Sequence, residues 1–156
     1  MTRNLWTLAL ASAAAALLAA LSFIATPVKF LAEGVPLAQL LAVGRVTFRA
    51  SLAAELCLLA PLLVLARDRI RWLAAGAGAL LALQWLLMMP ALDARTLGRI
   101  AGGVPEPSSL HLWWVLADGA RVALYAAAAV LAGQAVCRRA AARGLEKADA
   151  VPRREG

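Results

Sequence analysis

Side chains that bind metals are scarce in this chain. It has one histidine, His111, and two cysteines, Cys57 and Cys137, which do not form a C-x-x-C pair. A single histidine cannot supply a bis-histidine haem, and no cysteine or glutamate stands at zinc spacing beside it. The cysteines therefore read as small apolar fillers, with neither a disulfide nor a metal site expected. No nucleophile–base pair, metal set or cofactor loop is present, so nothing supports an enzyme and no cofactor is expected. Acidic residues are also few: 9 Asp and Glu against 16 Lys and Arg, a formal net charge of +7. That balance raises the question of nucleic acid, but no RNA- or DNA-binding motif accompanies it. Many arginines instead flank apolar runs, and six basic residues follow Cys137. They read as topology signals and contacts to lipid headgroups.

What the chain has in excess is apolar surface. Hydrophobic residues make up 63% and the mean hydropathy is +0.76, against about 45–50% apolar residues in a soluble domain. A chain of 156 residues has too little interior to hide that surplus, so it must face lipid. Four apolar runs stand out, at about 5–24, 37–66, 72–92 and 109–136. Each approaches or exceeds the roughly 20 residues that cross a hydrocarbon core, and only helices satisfy an isolated segment's backbone there. The expected fold is an all-α membrane protein, a four-transmembrane-helix bundle over residues 1–137, followed by a basic, flexible cytoplasmic tail at 138–156. No internal repeat is visible.

Turn residues mark the connections: Pro27, Gly34 and Pro36; then Arg67, Asp68, Arg69 and Arg71; then Gly102, Gly103, Pro105 and Pro107. Ser108 or Ser109 can cap the last helix. With four spans, ten basic residues share a side with both termini and five lie opposite, which places the termini inside. In a bacterial cell this means the inner membrane. Trp6 and Trp72 then fall near the inner interface, Trp113 and Trp114 near the outer one. An alternative is that Arg3 and the alanine-rich run after it form a signal peptide cut near Ser22 or Ala25, leaving three spans; the run is long for a signal core of about 7–15 residues.

Charges within the spans point to a site, because a charge at mid-bilayer costs about 2.5–3.5 kcal/mol by insertion scales. Arg45 and Arg49 share a face of the second helix. Glu55, six residues on, is turned about 80° from Arg45. It must meet a cation from another helix or keep its proton; in the second case glutamine would replace it at little cost. Asp118 and Arg121 can pair at i,i+3, with Tyr125 continuing that face. Asp93, Arg95 and Arg99 mark the outer end of the third helix, Gln84 lies deeper, and Lys29 and Glu33 follow the first. Antiparallel spans bring these groups together in one polar cluster opening outward, with Glu55 at its floor. Pro61 is expected to kink the second helix just past it.

Three blocks then appear in order: Gly44-Arg45-Val46-Thr47-Phe48, Leu92-Asp93-Ala94-Arg95-Thr96, and Ser108-Ser109-Leu110-His111-Leu112 with Val115, Leu116 and Gly119. Together they resemble the small membrane proteins similar to transmembrane protein 205, a four-helical domain family of unknown function. The likeness covers roughly residues 37–133 in scattered blocks and departs around Ser108–His111, where Glu106-Pro107 precede and His111 follows. It implies Arg45, Asp93, Arg95 and Ser109 as positions of interest and brings no activity or cofactor.

The functional expectation is a small membrane protein that binds a lipid, small anion or partner helix through the outer cluster of Arg45, Arg49, Glu55, Asp93, Arg95, Ser109, His111, Asp118 and Arg121. Two alternatives stay open: an ion or proton transport component acting as an oligomer, and a purely structural charge network in a membrane complex. Membrane lipids, and either a second copy or a membrane-complex partner, are the expected partners; nucleic acid is not.

Overall fold

The computed structural model describes residues 2–104 and 107–149, with side chains as far as Gly144. Among the described residues there is no strand. Helix α1 spans Thr2–Leu31, α2 Leu37–Leu65 and α3 Asp68–Ile100, and α4 spans Leu110–Asp149. All four are long and apolar enough to cross a membrane. They alternate in direction, so the bundle has a terminal end, with the start of α1, the last turns of α4 and the link from α2 to α3, and a connection end, with the other two links.

Three boundaries differ from the sequence expectation. α1 runs on through Pro27, which lies inside the helix and not in a loop. α3 begins at Asp68 and ends at Ile100, so Asp93, Arg95 and Arg99 ride on helix. The link before it is only Ala66 and Arg67. Asp68 adopts a left-handed φ of 50° at that sharp reversal, which a short polar side chain tolerates, and Arg71 Nε donates to the Ala66 carbonyl at 3.1 Å. α4 continues past 136 to Asp149. Ser108, not Ser109, caps α4: its Oγ accepts from the Leu110 amide at 3.1 Å. Pro105, Glu106 and residues 150–156, including Arg153 and Arg154, lie outside the described residues, as does the side chain of Lys147.

Small residues fill the interior. α1 packs along α4 and α2, α3 packs on α4, and α2 meets α3. Half of the buried apolar residues are alanine, among them Ala11, Ala14, Ala74, Ala77 and Ala128, while Leu56, Val64, Leu86, Leu87 and Val130 point outward. This arrangement suits lipid, where helices associate by close approach and not by hiding large side chains from water. Gly78 marks such an approach, since a β-carbon there would stand 3.1 Å from Leu59 Cδ2. Trp6, Trp72 and Trp113 are exposed, but Trp114 is buried and meets Phe48 edge-on, with ring centroids 5.8 Å apart. Both cysteines face outward and are free, so neither fills the interior.

α1 and α3 each contain one π-helical turn, at Ala20–Ala25 and Gln84–Met88. The Thr26 amide reaches back to the Leu21 carbonyl and the Met89 amide to the Gln84 carbonyl, both five residues away. The cause is legible in the chemistry. A proline ring clashes with the carbonyl four residues before it; for Pro27 and Pro90 those carbonyls belong to Phe23 and Leu86, both inside the wide turns. Widening the turn makes room for the ring. α2 passes Pro61 as continuous α-helix.

Candidate functional site

Ionic side chains gather in two places, not one. The first is a buried node at mid-bundle. Asp118 Oδ1 accepts from Arg121 Nη2 at 2.6 Å and from Gln84 Nε2 at 2.8 Å, and Oδ2 accepts from Ser22 Oγ at 2.6 Å. Arg121 Nη1 donates to Glu55 Oε2 at 2.5 Å, and the Tyr125 hydroxyl donates to Glu55 Oε1 at 2.9 Å. Glu55, Asp118 and Arg121 are each 1% exposed. All four helices thus contribute to one hydrogen-bonded unit, with Glu55 met by a cation from α4. The i,i+3 pairing of Asp118 and Arg121 is present. Gln84 Nε2 also reaches the Trp114 carbonyl at 3.2 Å. Three buried atoms, Gln84 Oε1, Trp114 Nε1 and Arg121 Nε, have no hydrogen-bond partner among the described residues.

The second gathering lies at the connection end. Asp93 receives both Arg45 and Arg49: Arg45 Nη2 donates to Oδ2 at 2.7 Å and Arg49 Nη2 to the same oxygen at 2.6 Å, while Arg45 Nε meets Oδ1. Asp93 reaches them because of the wide turn in α3. In a plain α-helix, residues nine apart lie about 180° apart; a turn that absorbs one residue reduces this to about 80°. Gln84 and Asp93 can therefore both serve the interior side of α3.

Beside this ion pair opens a pocket of about 270 Å³, lined by Lys29, Arg45, Asp93, Thr96 and His111 and walled by Phe30, Leu41, Phe48, Met89, Leu92 and Trp114. A neighbouring cavity of about 380 Å³ shares Phe30, Phe48, His111 and Trp114 with it and extends to Ser22 and Asp118. Lys29 is the free cation of the site. Its amine lies over buried Gly44, where a β-carbon would collide with it. It stands 5.0 Å from the Phe30 ring centroid and 5.6 Å from that of Phe48. Among the described residues it has no carboxylate at ion-pairing distance, and Glu33 does not serve as one.

The single cluster expected from the sequence is therefore divided. Arg45, Arg49 and Asp93 flank the pocket and His111 lines it. Glu55 and Arg121 line neither cavity; Asp118 is the carboxylate that lines the neighbouring one. Glu55 is not the floor of the cleft, because Arg121 and Tyr125 enclose it. Arg95 lines a shallower hollow with Arg99 and Thr96. Ser109 is exposed and takes part through its backbone carbonyl, which accepts from Trp113 at 3.0 Å. Sequence reasoning missed Ser22 and Gln84 as ligands of Asp118, and the role of Lys29. No family model, curated protein or solved structure matches the chain.

Proposed function

We propose that the chain is a multi-pass membrane protein of the cytoplasmic membrane, with both termini inside, and that its pocket takes the acidic head of a single-chain amphiphile from the outer side. The orientation rests on the sequence, in which ten basic residues flank the spans on the side of the termini and five on the other. The observation that carries the binding role is Lys29: a half-buried ammonium without a carboxylate, set in a mostly apolar cavity beside two arginines that share one aspartate. Three cations around one carboxylate favour an anion, and the aromatic and aliphatic walls favour an attached hydrocarbon chain. Kinship with the family resembling transmembrane protein 205 stays part of the proposal, since two of its positions, Arg45 and Asp93, sit together at this pocket.

The test is the melting temperature of the purified chain in neutral detergent with dodecanoate or dodecanol. Dodecanoate is expected to stabilise and dodecanol not, and Lys29→Gln is expected to abolish the difference. Equal response to both compounds, or an unchanged response in Lys29→Gln, refutes the reading. A second role is favoured for the deeper node: it fixes helix register, because its charged groups are buried, paired with one another and drawn, with their neutral donors, from all four helices. Proton or ion uptake by vesicles carrying the chain would instead favour the transport alternative.

A further inference from the structure

The opposite end of the bundle carries a smaller cavity of about 140 Å³, lined by Arg3, Asn4, Thr7, Arg67, Asp68 and Arg139 among others. Three guanidinium-bearing residues come here from three separate segments: the first turn of α1, the link between α2 and α3, and the late part of α4. Asp68 is the one carboxylate among the lining residues. No ion pair among the described residues engages Arg3, Arg67 or Arg139. Three guanidinium groups around one carboxylate leave a positive surplus, and like charges held together repel, so the arrangement is incomplete as it stands.

Local structure sets these groups in place. The buried Thr7 hydroxyl donates to the Arg3 carbonyl at 2.9 Å, which ties the first turn of α1. Arg71 holds the Ala66 carbonyl from behind, and the left-handed Asp68 fixes the direction in which the chain leaves Arg67. The first turns of α1 and α3 both border the cavity, and their free amide groups add to the positive field. The cavity is smaller than the roughly 300–1,000 Å³ that hold a whole small molecule, which suits one phosphate group. Exposed Trp6 and Trp72 belong to the same end, and tryptophan settles at headgroup level.

We infer that this notch binds the headgroup phosphate of an anionic phospholipid, with the acyl chains outside on the apolar flank of the bundle. The site is separate from the Lys29 pocket, and Lys29→Gln leaves it intact. The experiment is lipid retention by the full chain in neutral detergent, read by native mass spectrometry, with phosphatidylglycerol, phosphatidylcholine and inorganic phosphate in separate arms. Phosphatidylglycerol is expected to be retained and the other two not.

Arg67→Gln with Arg139→Gln is expected to weaken that retention on the order of tenfold or more, from about 1 kcal/mol for each basic residue near a charged surface. Arg69→Gln with Arg138→Gln removes the same charge from the same end but lies outside the notch, and is expected to leave retention nearly intact. Equal losses in the two pairs would mean diffuse surface charge and overturn the site. Equal retention of phosphatidylcholine would overturn the anionic requirement, and saturation by inorganic phosphate would overturn the lipid source. Should the double variant fail to fold, Arg139→Gln against Arg138→Gln, both at exposed helical positions, makes the same comparison.

Discussion

Without its guanidinium, Arg121 would leave Glu55 and Asp118 as two buried carboxylates with only neutral donors, Tyr125, Ser22 and Gln84, to serve them. Breaking a buried pair by removing one partner costs about 3–5 kcal/mol. Arg121→Ala is expected to lower stability in detergent by an amount of that order, and Glu55→Gln by less, because Arg121 keeps Asp118 as its counter-charge. The double variant should lose less than the sum, and additive losses in a double-mutant cycle would show that the two side chains are not coupled. Gly44→Ala tests the other site. Its new methyl meets the far end of the flexible Lys29 side chain, so unfolding should change little while the response to dodecanoate falls. The sequence showed that Glu55 needed a partner, because no cation lies on its own helix at contact range, and it showed the Asp118–Arg121 spacing. It did not show which helix face meets which. Ser22 looked like a small residue near a cleavage point, and Lys29 like a loop charge beside Glu33.

At the scale of the helix, four apolar runs were enough to count the spans, since length and hydropathy are local properties. Helix ends and facing were less legible. Counting 100° per residue fails across the two wide turns, and the signal for them, Pro27 and Pro90 late in long apolar helices, reads equally well as the end of a helix. The α3 turn behaves as one residue inserted into a plain helix. Deleting Leu87 together with Pro90→Ala, which removes the ring that the wide turn accommodates, should therefore keep Asp93 facing Arg45 and Arg49, whereas an alanine inserted after Leu87 should swing Asp93 by about 100°. The measurement is melting temperature with and without dodecanoate. The deletion is expected to keep both near the unaltered values and the insertion to lose both; the reverse order would refute the part assigned to the turn.

Across the whole molecule, basic residues outnumber acidic ones most clearly at the terminal end, and the apolar exterior runs between the two ends. The inferred orientation predicts that Cys137 reacts with a membrane-impermeant thiol reagent only once the cytoplasmic side is opened. Cys57, exposed along α2, should resist from both sides because lipid covers it. Mass spectrometry of the labelled chain decides, and modification of Cys137 in intact cells would reverse the orientation.

The node around Asp118 also bears on how the chain is made. Synthesis delivers α1, α2 and α3 before α4, so Ser22, Glu55 and Gln84 enter the bilayer while the residues they will bind are still in the ribosome. Until the last helix arrives, Glu55 lacks its countercharge and the first three helices lack the side chains that join them. The node thus closes in a single step, when α4 enters, and a chain stopped before Trp114 would offer quality-control proteases an unmatched acid within the membrane.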